Sequence, residues 1–127
     1  MDFTPRTEMY GAGDYSWLGS AHATNNMETV TLKVSAFASF KTDHGDVIPA
    51  GIPLKKSSAG KTYEPVTDAG DALAGFLGTP QPNRGDNQVA PMLWHGSIKA
   101  DNLPKGAFDV TTLTAANPQF HIKKKEA

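Results

Sequence analysis

Four histidines, thirteen carboxylates and one glycine-lysine-threonine run are the parts of this 127-residue chain with chemistry to offer. His22, His44, His95 and His121 are scattered, and no two stand four apart, the spacing that aims two imidazoles from one helix face at a metal. Structural or solvent roles are their default, and no metal site is expected. Gly60-Lys61-Thr62 matches the end of a phosphate-binding loop, but that pattern needs a glycine five residues before Gly60, where Lys55 stands. Gly11-Ala-Gly13 has neither the preceding apolar strand nor the third glycine of a dinucleotide fingerprint. Asp43, Asp46, Asp68 and Asp71 fall in loops, without a paired apolar setting that would split their pKa values for acid and base work. Arg84-Gly85-Asp86 is the integrin-binding tripeptide, in a loop rich in proline and asparagine where these three residues also occur as ordinary turn formers. The reading is of a protein that is not an enzyme and carries no cofactor.

Composition narrows the class. There are 12 Lys and Arg against 13 Asp and Glu, a formal charge of −1, so no global field draws the chain to nucleic acid or to an anionic membrane. The 12 glycines and 9 prolines make up about a sixth of the chain, which favours short strands and many turns over helical bundles. Without cysteine there is neither a disulfide nor a thiolate metal site. The start has no basic segment followed by an apolar core, and no apolar run approaches membrane-spanning length, so a soluble protein is expected. The length fits one domain plus an appendage.

The elements that would position these residues are mostly strands. Val30, Leu32, Val34, Ala36, Ala38 and Phe40 alternate with polar residues and predict a half-buried strand over Glu28 to Phe40. Phe37 breaks that alternation, as a bulge, a second packed layer or a subunit contact would. Lys41 to Gly45 reads as a polar turn. Val47-Ile48 and Ile52 to Leu54 flank Pro49-Ala50-Gly51, predicting a tight strand reversal. Lys61 to Val66 is a short strand with Pro65 at an edge or an end, and Ala72 to Leu77 is a buried strand. Val89 to Ala100 resumes as a strand with Met92, Trp94 and Ile98 on one face and Leu93 and His95 on the other, Trp94 being the expected core anchor. Asp109 caps a short helix running to about Ala116, Pro118 ends it, Phe120 to Ile122 adds a last strand, and Lys123 to Lys125 form a solvated tail. The fold class is mainly β with at most one or two short helices.

Residues 1–26 show no sustained period and read as an extended N-terminal arm, leaving 27–127 as the β-rich domain. Within the arm, Tyr15-Ser-Trp17-Leu18-Gly-Ser-Ala-His22 is an apolar cluster that something must cover. It either folds back on its own domain as a satellite of the core or docks on another chain. A cut after Asn26 is expected to leave a folded domain.

Set in order, Trp17-Leu18-Gly19-Ser20-Ala21-His22, Thr29-Val30-Thr31-Leu32 with Phe37, Ile48-Pro49-Ala50-Gly51-Ile52-Pro53-Leu54, Tyr63-Glu64-Pro65, Ala74-Gly75-Phe76-Leu77 and Leu93-Trp94-His95-Gly96 resemble the head decoration proteins of tailed bacteriophages, the lambda-type capsid cement family. The resemblance covers most of the chain, and order and spacing carry it. It implies a small β-tulip-like, or β-clip-like, domain that trimerises on the outer surface of the expanded virion capsid and cements the major capsid protein lattice. It also implies that the arm, with Tyr15, Trp17, Leu18 and His22, lies along the shell by strand addition. Phe37, Ile52, Leu54, Phe76 and Trp94 are then candidates for the trimer interface or the core. Apolar residues on both faces of Ala72 to Leu77 and Val89 to Ile98 exceed what a small single sheet covers by itself, which also favours a homotrimer. The alternatives are a trimeric β-clip enzyme or carbohydrate-binding module that shares only the Ile-Pro-Ala-Gly-Ile-Pro-Leu turn, and a host-surface adhesin using Arg84-Gly85-Asp86.

Overall fold

The computed structural model describes residues 16–18, 27–58, 60–85, 87–115 and 117–123. The fold is mainly β. Among the described residues, β1 (Glu28–Leu32), β4 (Tyr63–Pro65), β3 (Pro53–Lys56), β5 (Gly75–Leu77) and β7 (Gln88–Leu93) follow one another around a closed barrel. β1 runs antiparallel to β7 over five residue pairs from Glu28↔Met92 to Leu32↔Gln88, and it meets β4 in parallel at Leu32↔Tyr63. Two smaller sheets attach, one of β2 (Val47–Ile48) with β6 (Gln81–Pro82) and one of β8 (Gly96–Lys99) parallel to β9 (Phe120–Lys123). No helix among the described residues is long and apolar enough to cross a membrane.

Strand alternation divides the apolar residues between two cores. Val30, Leu32, Leu54, Leu77, Ala90 and Met92 point into the barrel, with Phe37, Phe40, Ile48 and Ile52 in the same cluster. Their neighbours Phe76 and Leu93 point out of it. Outside the barrel wall, Phe76 and Leu93 join Trp17, Ala50, Val66, Leu73, Ile98, Val110 and Phe120 in a second cluster. The outer face of β5 and of the Leu93 end of β7 is therefore covered by the chain's own N-terminal and C-terminal segments, while Val89 at the other end of β7 stays exposed. The double-faced apolar pattern is met within the chain at Phe76 and Leu93 and is left open to solvent at Val89.

The expected strand over Glu28 to Phe40 stops at Leu32, and Val34–Phe40 is a 3-10 helix. Period 2 and period 3 compete there. Val34, Phe37 and Phe40 stand three apart, eclipse on one side of a 3-10 helix and are all buried, while the small residues Ser35, Ala36, Ala38 and Ser39 fill the other positions. This gives a physical account of Phe37, which is fully buried and is no bulge. Asn83, also buried, donates from its side chain to the Phe37 carbonyl at 2.8 Å and from its backbone to the Asp46 carbonyl at 2.7 Å. These bonds give the buried amide its partners and tie the 3-10 helix to the segment after β6. The polar turn expected after Phe40 is a one-turn α-helix, Lys41–His44.

The corner at Pro49 to Gly51 forms, but it is not a hairpin. β2 pairs with β6 and β3 pairs with β4 and β5, so the corner carries the chain from one sheet to another. Gly51 takes φ 98°, and its N–H donates to the Leu77 carbonyl at 2.8 Å. Pro65 lies at the end of β4, where its missing N–H costs no ladder bond. The strand expected from Val89 to Ala100 is interrupted after Leu93 and becomes β7 and β8 in different sheets. Asp109 does cap, accepting from Thr111 N at 3.0 Å, but the helix it starts is a single 3-10 turn, Val110–Thr112. Successive threonines favour that short ending over an α-helix.

Candidate functional site

The site with the most construction around it is where the N-terminal segment enters the fold. Residues 16–18 lie against the free edge of β8, with Leu18 bridging Ile98 antiparallel and Lys99 N–H donating to the Trp17 carbonyl at 2.6 Å. The Asn102 side chain donates to the Ser16 carbonyl at 3.0 Å. Trp17 is the plug of this latch. Its side chain is 1% exposed and stacks on Phe76 at 6.0 Å between ring centroids, and Phe76 in turn meets Phe120 edge-on at 5.0 Å.

The opposite wall of the socket is the Pro49 to Gly51 corner. A Cβ built on Gly51 would stand 2.8 Å from Trp17 Nε1 and 3.0 Å from a Pro104 ring carbon. Only glycine leaves room for the indole there, and only glycine adopts that φ readily. A cavity of about 300 Å³ opens beside the socket between Trp17, Ala50, Pro104, His44 and Lys105. His44 Nε2 and the Lys105 carbonyl are hydrogen-bonded at 2.8 Å, and Lys105 Nζ lies 3.4 Å from an Asp43 carboxyl oxygen.

Trp17 and Leu18 therefore sit in the folded unit, as the satellite-core alternative has them, and a cut after Asn26 would remove Trp17 from the outer cluster. Tyr15 and His22 lie outside the described residues. Of the interface-or-core candidates, Phe37, Ile52, Leu54 and Phe76 are fully buried within the single chain. Trp94 is half-buried, packed against the barrel cluster and in edge contact with His95 at 3.9 Å between ring centroids, and the fully buried tryptophan is Trp17. β7 ends at Leu93, and Trp94 follows it at the margin of the barrel cluster. Arg84 and Gly85 are in an exposed turn, and Asp86 lies outside the described residues.

The ionisable groups are spread over the surface. No group of three or more metal-ligating side chains gathers among the described residues. Asp68 accepts from Gly70 N, while Asp71 accepts from two backbone amides and pairs with Lys55 at 3.0 Å. That ion pair and the Gly51 socket were not anticipated from sequence. Spacing gives no signal for the pair, whereas the glycine between alanine and isoleucine in the corner was a visible mark of close approach. No protein-family model and no curated protein matches this chain.

Proposed function

We propose that this chain is a structural virion protein that binds the outer surface of an expanded phage capsid as trimers and cements the major capsid protein lattice. One observation supports it above others. Pieces of the sequence resemblance that lie far apart in the chain, Trp17-Leu18, Ala50-Gly51, Phe76 and Leu93, meet in a single packed cluster around the indole of Trp17. The shared residues thus act together, as the socket that fixes where the N-terminal arm leaves the domain.

A cement needs such a fixed point. The residues before Ser16 are the capsid-binding strand in this reading, and load on that strand passes through Trp17 and the β8 edge into the outer core. Ordering about fifteen backbone residues costs on the order of 15 to 30 kcal/mol, which strand pairing with a capsid edge has to offset. Three arms on one trimer raise effective concentration without new contacts per arm.

Deleting residues 1–15, which leaves the latch in place, is expected to keep the thermal midpoint unchanged and to weaken co-sedimentation with expanded capsids lacking the protein by about tenfold or more, roughly 1.4 kcal/mol. Undiminished sedimentation of the shortened protein would remove the arm from the binding mechanism.

A further inference from the structure

One carboxylate organises the loop between β4 and β5. Asp71 Oδ2 accepts from Thr67 N and from Asp68 N, both at 3.0 Å, and lies 3.0 Å from Lys55 Nζ on β3. Lys55 also faces Glu64 of β4 at 3.9 Å. The far side of the loop holds the C-terminal segment, because Thr114 N donates to the Ala69 carbonyl at 2.8 Å and the Asn117 side chain to the Leu73 carbonyl at 2.9 Å. A groove of about 470 Å³ runs along the loop, with Leu73 and Ala74 lining it beside Lys55, Glu64 and Asp71.

We propose that Asp71 is an acid-released clasp: protonating its carboxyl frees the loop 67–71 from β3 and widens the groove, while the barrel stays closed. The barrel strands are joined by backbone hydrogen bonds, whose groups do not titrate, whereas the tie between the loop and the Lys55 side chain of β3 runs through the charge of Asp71. A neutral carboxyl keeps an acceptor oxygen but loses both the ion pair and the charge assistance of its amide bonds. The Thr67 amide is the largest influence holding the Asp71 pKa below its ordinary value; burial opposes it, and Lys55 and the Asp68 amide add to it. A lowered folded-state pKa means that the clasp is fully formed above the ordinary carboxylate value and is lost as pH falls through the lowered one. Lys55 and Lys56 on β3, Glu64 on β4 and Asp68 in the loop are the charged groups around it, and residues 110–117 bring none.

Amide hydrogen exchange followed by NMR reads the clasp directly. Between about pH 5 and pH 2.5 the protection of Thr67 and Asp68 is expected to fall about tenfold, while that of Leu77, whose N–H donates to the Ile52 carbonyl within the barrel, holds. D71N is expected to show reduced and pH-independent protection at Thr67 and Asp68, and E64Q to keep the wild-type fall. Protection that persists to pH 2.5, a fall shared with Leu77, a wild-type profile in D71N, or a fall abolished by E64Q each overturns the clasp.

Discussion

Trp17→Ala is expected to destabilise the domain by about 3 to 5 kcal/mol, the usual range for truncating a fully buried large aromatic. The socket cannot close over the missing indole. One wall is the Gly51 corner, tied to β5 through Leu77, and another is Phe76, fixed in the barrel by pairing with Pro53 and Leu93. Urea unfolding of the full chain measures the loss, and a change under about 1 kcal/mol, the scale of an ordinary surface substitution, would mean that residues 16–18 only rest on the domain. Gly51→Ala supplies a second reading of the same contact. Its penalty comes partly from φ 98° and partly from the indole, so it should shrink when combined with Trp17→Ala. A coupling of about 1 kcal/mol is expected from the double-mutant cycle, within the range seen for residues in contact.

Gly75→Ala should be as damaging for a different reason. Gly75 is buried in β5 between β3 and β7, and an added Cβ would press on the backbone carbonyl oxygen of Leu93 and approach the Met92 side chain at 2.8 to 2.9 Å. A side chain can rotate away, but a carbonyl in the barrel wall moves only with its strand. Overpacking of this kind costs about 1 to 3 kcal/mol when neighbours yield and more when they do not, so the variant is expected at or above the upper end. Gly70→Ala is the control, since its Cβ would meet nothing closer than the Asp68 carboxylate at 3.2 Å. Equal stability of the two variants, measured by urea unfolding, would show that the barrel wall yields at β5 and is not the close-packed ring described.

These glycines mark what the sequence can and cannot express. Thr29 to Leu32 and Phe120 to Ile122 were legible because burial follows period 2 there, and Gly75 to Leu77 because it is apolar and buried throughout. Val34 to Phe40 was not, because its residues satisfy period 2 and period 3 together, and only the tertiary position of Phe37 decides between them. The corner at Gly51 was visible as a turn, but the partner of each flanking strand is a long-range choice that local sequence does not encode. Apolar residues on both faces of β5 and β7 were legible, but not that the chain's own termini cover Phe76 and Leu93 while Val89 stays exposed. A short N-terminal segment with one tryptophan looks dispensable by composition, yet its indole is fully buried in the outer cluster beside Phe76, Ile98 and Phe120. The ion pair of Lys55 with Asp71 joins residues on different elements and leaves no mark in spacing.

The central proposal, attachment to the outside of a capsid, is tested most directly by electron cryo-microscopy of expanded tailed-phage capsids lacking a decoration protein, with and without added protein. The account predicts extra density on the outer surface at the three-fold and quasi-three-fold positions, three copies to a site. Each copy should present its latch, Trp17 against β8, toward the shell, with residues before Ser16 running onto capsid strands. Capsids that show no added density at saturating protein, or density from single copies away from those positions, would contradict it.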